Sequence, residues 1–472
     1  MRIMVPLTLL FLFSCIPANG LAETLEDRVN ALEKTIKKQE QTINKQQKLI
    51  QDMVAASKAP QAAASTDAAA SQPATTSQVE QQVEKLNEKV DKVADAQKKT
   101  LPSEFNPAIG IVGETVFSYR DKGALKTGSD RPGGFDVFQR SVELNVAASV
   151  DPFAKAYLVA NASADSVTGE STFNIEEAAL QTESLPWNLT VKAGRFFGEF
   201  GRLSYIHDHE LPFVNRPLVL NQYIGGESRT DGVQVNWLAP LDHYVSLTMG
   251  VGNQFGGDNP PNDVGDFRNL GGWNYWGRLS TSFDLTPDIS FEPGVSWLWN
   301  PEAEGQWASP GTVNPNFPLV NGNTFKESER RLVGADMTLS YKPLRNNQFQ
   351  SIIWGTEVLY SDNRYDVSDA AGNSLSNTTV GSYGLYSYLT YKFHRQWSAG
   401  FLYGLVEDPL DNSAKSYEYS PYVTWSLSHW NQLRLQYTHT DHNAISSLEP
   451  DNAVYLQWSW IIGSHSHGWQ ER

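Results

Sequence analysis

The sequence predicts an all-β transmembrane antiparallel barrel of about 16 strands with an N-terminal α-helical coiled-coil arm. The first observation is the distribution of aromatic residues: of the 54 in the chain, 52 lie after residue 104, including all 14 tryptophans. The second is that the chain after residue 104 alternates between apolar and polar residues in short runs, which is typical of strands with two different faces. The third is that the connections between these runs are alternately short and long.

Residues 1–22 are predicted to be a signal peptide. Arg2 precedes the apolar run 3–13, and small residues lead to a cleavage site after Ala22. The run is too short for a membrane-spanning helix, which needs about 20 residues. A buried N-terminal helix and a lipoprotein signal at Cys15 are the alternatives. Cleavage after Ala22 removes Cys15, the only cysteine, and thereby excludes disulfides and cysteine-based zinc or nucleophile sites.

Residues 23–54 are predicted to form a coiled coil, because apolar residues recur at alternating spacings of three and four. A flexible linker rich in Ala, Ser, Thr, Gln and Pro follows at 55–78, and then a second coiled-coil helix at 79–101. One core position of the first helix is uniformly β-branched: Val29, Ile36, Ile43 and Ile50. The alternative is a single amphipathic helix lying on another surface. The residues leave dimer and trimer open.

Residues 105–472 are predicted to form the barrel. Its runs put apolar or aromatic residues on one face and mostly polar residues on the other, which suits lipid outside and water inside. A soluble sandwich, the alternative, would place the apolar residues in its core. The predicted strands are 107–119, 136–149, 153–163, 172–183, 188–197, 230–239, 243–252, 273–284, 288–299, 328–342, 348–361, 379–393, 396–406, 415–427, 430–440 and 452–462.

Short turns that alternate with long loops on an even number of strands are typical of bacterial outer-membrane barrels. We therefore expect the cell outer membrane of a Gram-negative bacterium as the location, with the N-terminal arm in the periplasm. The third long loop, 198–229, is the longest and is expected to be external. A receptor with a plug domain would need about 22 strands, and the chain is too short for one.

The segment from Val191 to Gly201, with Gly194-Arg195-Phe196 at its centre, resembles the conserved motif of the porin O/P family, which includes phosphate- and polyphosphate-selective porins. Segments 213–217 and 229–235 are similar to that family's third loop and following strand. The resemblance implies a trimer of sixteen-stranded barrels, each with the third loop folded inward. Segment 207–213 also resembles a subgroup described as zinc-regulated outer-membrane proteins.

The charge of the barrel departs from the phosphate-selective pattern. After residue 104 there are 8 Lys and 16 Arg against 40 Asp and Glu, a net charge of −16. Since charged rings in a lumen set the sign of the preferred ion, we expect a cation-leaning pore for passive diffusion of small solutes or ions. The alternatives are an anion (phosphate)-selective porin and a structural barrel that anchors the coiled coil.

Candidate pore-constriction residues lie on and around the third loop: Arg195, Arg202, His207, Asp208, His209, Glu210 and Arg216. Arginines facing carboxylates across a pore would create a transverse field, and salt bridges that tie the loop to the wall are the alternative. His207 and His209 point the same way in an extended backbone and are candidate zinc ligands, although the spacing identifies no third ligand. The alternative is a polar, hydrogen-bonded loop. The pairs His439/His442 and His465/His467 are further close pairs.

The sequence contains no G-x-S-x-G elbow, and nothing in the spacing suggests a Ser/His/Asp constellation, so we expect no enzyme. The expected partners are the lipid outer membrane, small solutes or ions, and two further copies of the chain in a homotrimer. No nucleic-acid partner is expected. No resident cofactor is expected either, beyond zinc bound transiently, which would make divalent metal uptake part of the function.

Overall fold

A computed structural model of the chain describes residues 107–121, 133–164, 170–257, 270–303, 306–308, 324–369, 372–443 and 450–463. The predicted signal peptide, the linker, both coiled-coil helices and the His465/His467 pair lie outside the described residues. Among the described helices, none has the length and apolar character needed to cross a membrane.

Seventeen strands of the described chain form one antiparallel sheet. They are β1 (Ala108–Arg120), β2 (Gly134–Asp151), β3 (Ala154–Ala164), β4 (Ser171–Thr182), β5 (Leu189–Phe197), β6 (Arg229–Leu238), β7 (Tyr244–Gly252), β8 (Asn274–Thr286), β9 (Ile289–Asn300), β10 (Gln306–Ala308), β11 (Thr324–Tyr341), β12 (Ser351–Ser368), β13 (Ser374–His394), β14 (Trp397–Glu407), β15 (Lys415–Ser428), β16 (Asn431–His442) and β17 (Asp451–Gly463). A short helix, α1 (Leu218–Tyr223), lies between β5 and β6.

The sheet closes on itself. β1 pairs with β2 on one side and with β17 on the other, and β9 pairs directly with β11. The short strand β10 pairs with β11 near the rim, so sixteen strands form the wall. The predicted antiparallel barrel of about sixteen strands is therefore confirmed.

The strands end within a few residues of the predicted positions, apart from the hairpin of β12 and β13. There the ladder continues to a pairing of Ser368 with Ser374, so most of the loop predicted at 362–378 is strand. The prediction also missed β10, a strand of three residues in the loop predicted between 299 and 328. Long loops collect at one end of the barrel and short turns at the other; we call these the loop end and the turn end.

The outward faces are mostly apolar. On β17 they carry Val454, Leu456, Trp458 and Ile462, each between 38% and 59% exposed. Exposed aromatic side chains are frequent near both ends of the wall. Those near the turn end include Trp237, Tyr244, Tyr341, Tyr391 and Trp397. Those near the loop end include Tyr119, Trp299, Tyr383, Tyr419 and Tyr437. Two aromatic belts around an apolar band match the two interfaces of a bilayer.

The interior departs from the expected polar, water-filled lumen. A cluster of buried apolar side chains lies inside the wall, formed by inward residues such as Trp276, Tyr386 and Leu402 together with residues 200–224. The expectation of mostly polar inward faces is thus wrong for this part of the wall. The expectation fails because these inward side chains pack against residues 200–224 in addition to contacting water.

We expect Leu435→Arg to destabilise the barrel in a lipid bilayer by about 2–4 kcal/mol, the cost of an arginine near the middle of a lipid-facing strand. Leu435 is 52% exposed and lies near the middle of β16. The measurement is a urea titration of protein refolded in vesicles, with heat-modifiable gel mobility as the readout. Leu435→Ala is the control, and equal stability of the two variants would contradict a lipid-facing surface.

Candidate functional site

The loop between β5 and β6, residues 198–228, lies inside the barrel; we call it the third loop. Its entry is tight, because a Cβ atom on Gly198 would lie 2.8 Å from Phe255 and 3.0 Å from Trp276. At Gly201 the backbone φ is +57°, and a side chain would meet the carboxylate of Glu357. Glycine is therefore required at the point where the chain turns inward from the wall.

Apolar contacts fix the third loop against one side of the lumen. Phe213 is fully buried, and its ring packs edge-on against Tyr388 at 5.6 Å and Tyr422 at 6.2 Å between ring centroids. In α1, Val219 lies against Gly384 of β13, and the hydroxyl of Tyr223 donates to the carbonyl of Glu407 at 3.0 Å. These contacts bury the apolar face of the loop against β13, β14 and β15.

Polar contacts tie the loop to strands on other sides. Arg140 of β2 donates to the carbonyl of Val214 at 2.5 Å, and the amide of Val214 donates to Gln436 of β16 at 2.7 Å. The amide of Leu218 donates to Glu418 at 3.2 Å. Because strands β2, β15 and β16 all bond to it, the loop lies across the lumen and not over the mouth of the barrel.

Of the predicted constriction residues, Arg202 and Arg216 both fasten the third loop. The Arg202 guanidinium donates to Glu292 of β9 at 3.1 Å, and the backbone amide of the same residue donates to Glu357 at 3.0 Å. Arg216 is only 6% exposed, and its hydrogen bonds connect different parts of the third loop to one another. Its partners are the carbonyls of Leu203 at 2.6 Å and Ile206 at 2.7 Å, Asp208 at 2.8 Å and Glu227 at 3.4 Å. Both arginines therefore match the alternative of salt bridges and hydrogen bonds that position the loop.

Arg195 does not lie among the lumen residues. It pairs across the ladder with Asp231 of β6, on the same face as Val233 and Val235, which are exposed on the outside. Its guanidinium makes two hydrogen bonds to that carboxylate, at 2.6 and 2.7 Å. The placement of Arg195 in the constriction is corrected accordingly, because the alternation along β5 turns its side chain away from the lumen.

His207 and His209 face the wall formed by β2 and β4, where they meet three carboxylates. His207 Nε2 lies 2.9 Å from Glu177 Oε1, and His207 Nδ1 lies 3.3 Å from Glu176 Oε2. Glu143 bridges both rings, with Oε1 at 3.1 Å from His209 Nδ1 and Oε2 at 3.6 Å from His207 Nδ1. The two rings stack with centroids 5.5 Å apart. We call these five residues the histidine–glutamate cluster.

Two β-bulges supply charged residues to this side of the lumen. In the β3–β4 ladder Val159 pairs with Glu177 and Ala160 pairs with Ile175, so Glu176 is the extra residue. Regular alternation would turn Glu176 outward when Glu177 points inward, but the bulge lets both contact His207. In the β1–β2 ladder Glu114 pairs with Ser141 and Thr115 pairs with Gln139, and the extra residue Arg140 bonds Glu114 inside the barrel at 2.9 and 3.0 Å.

The surrounding charges shift the pKa values of the loop residues. Burial alone lowers the pKa of His207, but the neighbouring glutamates outweigh burial and hold it well above its usual value. The pKa of His209 is also raised, because Glu143 outweighs burial. Burial tends to raise the pKa of Asp208, but Arg216 and Arg140 lower it. Burial and the charge of Asp208 raise the pKa of Glu227 to about 8.

Two chambers flank the third loop. The loop-end chamber has a volume of about 500 Å³, and its charged lining residues are Arg120, Arg140, Arg216, Glu176, Asp208, Glu227, Glu418 and Asp451. The turn-end chamber has a volume of about 870 Å³, and its lining includes Lys392, Arg395 and Arg434 but, among the described residues, no carboxylate. The charge of the lining therefore differs between the two ends.

The sequence pointed to the histidines but not to their partners. Glu143 lies 64 positions before His207 in the chain, and only the barrel brings the two together. Glu210, predicted beside them, is buried and contributes to the charge around His209. His439 and His442 lie on β16 and are bonded to Asn452 and Ser416 respectively, which makes them separate from the cluster.

No family model matches the chain. A protein of Aquifex aeolicus described as uncharacterized is 27% identical over 352 residues, which cover 69% of this chain and 68% of the relative. The outer membrane channel DcaP of Acinetobacter baumannii has a TM-score of 0.50 at 12% identity, covering 77% of this chain and 99% of that one. OprB of Pseudomonas putida has a TM-score of 0.49 at 11% identity, covering 76% and 94%. The likeness to DcaP shows a shared barrel fold, and membership of the porin O/P family stays a prediction.

We expect Arg216→Met to loosen the third loop. The carbonyls of Leu203 and Ile206 would lose a buried donor, which lowers the free energy of local opening of the loop by about 3 kcal/mol. This corresponds to roughly hundredfold faster amide exchange in the loop. Hydrogen exchange followed by mass spectrometry measures this directly. Arg195→Met makes the same chemical change on the outer face, and it should leave exchange in residues 203–216 unchanged. Equal effects of both variants would contradict the assigned role of Arg216.

Proposed function

We propose that this protein is an outer-membrane channel for passive diffusion of small solutes and ions, narrowed by its third loop. The observation that carries the proposal is the loop itself, which crosses the lumen of a closed sixteen-stranded barrel, between two chambers with charged linings. The apolar outer face and its aromatic belts suit a bilayer. The fold shared with the channel DcaP is consistent with this proposal.

We further propose that the channel favours cations. The loop-end chamber is lined by five carboxylates against three arginines. Carboxylates are also concentrated where the loop meets the wall, as in the histidine–glutamate cluster. Since the charge nearest the narrowest part of a pore dominates ion preference, these groups outweigh the external loops. The same cluster makes divalent metal ions, zinc among them, candidate solutes.

Anion selectivity is the second candidate, and one observation favours it. The turn-end chamber carries Lys392, Arg395 and Arg434 without a carboxylate among its described lining residues. If this chamber controlled permeation, phosphate-like anions would be preferred.

The reversal potential across a KCl gradient in planar bilayers should show a cation preference for the wild type at pH 7. Raising the pH to 9 should increase that preference, because Glu227, whose pKa lies at about 8, gains a negative charge in the loop-end chamber. Glu227→Gln is the matched control and should show a smaller increase than the wild type. An anion preference in the wild type would favour the second candidate, and the absence of any conductance would contradict the channel.

We also propose a homotrimer. The outer faces of β3 and β5 carry small residues, including Ala156, Ala162 and Ala193, in place of the aromatic side chains found elsewhere. The outward pair of Arg195 and Asp231 would be costly against lipid, and a neighbouring copy would shield it. The self-complementary seam predicted in the arm provides a second reason to associate.

Mass measurement of the intact chain in mild detergent should give three copies. Ala193→Trp should weaken this assembly, because a bulky ring would separate the close-packed faces. Val423→Trp, on the outer face of β15, is the control and should leave the mass unchanged. A monomer in several detergents for the wild type would contradict the trimer.

A further inference from the structure

The arrangement of donor atoms around His207 fits a metal ion better than it fits hydrogen bonding alone. His207 Nδ1, Glu176 Oε2 and Glu143 Oε2 converge, yet none of the three atoms has a hydrogen bond to any described residue. All three residues are buried, with exposures of 5%, 8% and 2% respectively. Buried polar atoms normally have hydrogen-bond partners. These three atoms instead approach one another at 3.3 and 3.6 Å around His207 Nδ1, as ligand atoms around one ion would.

Three separations among these side chains are close to those of ligand atoms on one zinc ion. Two ligand atoms on zinc, each about 2.0–2.1 Å from the ion, lie roughly 3.3–3.4 Å apart. The observed separations are 3.3 Å between His207 Nδ1 and Glu176 Oε2, 3.6 Å between His207 Nδ1 and Glu143 Oε2, and 3.1 Å between His209 Nδ1 and Glu143 Oε1. Donor atoms of Glu143, His207 and His209 all lie within 4.8 Å of one another. Glu143, His207 and His209 therefore lie close enough to share one ion, and Glu176 adjoins them through its contact with His207.

Glu177 occupies the position of an orienting partner. Its carboxylate lies 2.9 Å from His207 Nε2, on the side of the ring opposite Nδ1. Metal-bound histidines usually donate their other ring N–H to a carboxylate, which leaves the remaining nitrogen free to bind. Tyr157 in turn donates to Glu177 at 3.0 Å and fixes the carboxylate.

The charge balance also favours a divalent cation. Three carboxylates surround two imidazoles, while the nearby arginines have carboxylates of their own: Arg140 pairs with Glu114, and Arg216 pairs with Asp208 and Glu227. With both imidazoles neutral, a divalent ion would offset two of the three buried negative charges. Imidazole and carboxylate together suit zinc and similar borderline metals rather than calcium or magnesium.

We propose that Glu143, Glu176, His207 and His209 bind one borderline divalent cation of the Zn²⁺ class and thereby crosslink the third loop to β2 and β4. The ion would enter from the loop-end chamber, which Glu176 also lines. Because the ligands come from the loop and from two wall strands, a bound ion holds the loop in its inward position. The proposal goes beyond channel activity, since the site would bind an ion whether or not the barrel conducts.

The test uses the full chain purified without a histidine tag, in which His465→Ala and His467→Ala remove the histidines of the C-terminal segment. After chelation, Co²⁺ is titrated and followed by its visible ligand-field absorption, and Zn²⁺ affinity is measured by competition. We expect one ion per chain. Glu143→Gln or His209→Gln should abolish binding, and Glu177→Gln should weaken it by about 10- to 100-fold, as orienting partners do.

His439→Ala/His442→Ala is the matched control and should leave the affinity unchanged. Heat-modifiable mobility identifies any variant that fails to fold, in which case Glu177→Gln, the mildest change, provides the comparison. No saturable binding to the folded parent, or binding that Glu143→Gln and Glu177→Gln leave intact, would overturn the site. Conductance without metal binding would overturn only the site, and metal binding without conductance would overturn only the channel.

Discussion

Closure of the antiparallel ladder is the constraint on which the rest of the structure depends. A strand edge exposed to lipid would leave N–H and C=O groups without partners, each at a cost of several kcal/mol. The pairing of β1 with β17 removes both edges, over eleven residue pairs from Gly110–Gly463 to Arg120–Ala453. At the loop end the seam is reinforced by Arg120, which pairs with Asp451 at 2.5 Å. Once the wall is closed, any long connection can either stay outside or enter a bounded interior.

The third loop enters the barrel, and inward side chains of the wall provide partners for it. Its backbone groups lose water there, so each needs a partner within the barrel. The wall supplies those partners as long side chains: Arg140 and Arg434 donate to carbonyls of the loop, while Gln436 and Glu418 accept from its amides. The apolar half of the loop packs on inward aromatic rings. The lumen is therefore a folded interface with chambers on either side rather than an open tube.

The fold was predictable because the period of two is a local property of the chain. Within about ten residues, the alternation of apolar and polar residues shows which side chains of a strand lie on each face. In β17, Val454, Leu456 and Trp458 lie outward, and Gln457 and Ser459 lie inward. The histidine pair was predictable because two residues of a metal-binding type lie two positions apart in the sequence. Its partners were not, because Glu143 and His207 are joined only by the tertiary structure. The apolar interior was missed for a related reason: Tyr386 and Leu402 face inward, but nothing local shows that a loop covers them.

The two bulges show why alternation alone could not place the site. Carried through β2 and β4 without interruption, the period of two would turn Arg140 and Glu176 toward the lipid, where an arginine costs about 2–4 kcal/mol near the bilayer centre. One extra residue in each strand turns both side chains inward, where Arg140 holds Val214 and Glu176 reaches His207. A bulge disturbs the hydrogen-bonded ladder locally. The two bulges beside this loop segment are explained by the contacts that they permit. The position of the third loop and the charge around its histidines thus depend on the same two irregularities in the wall.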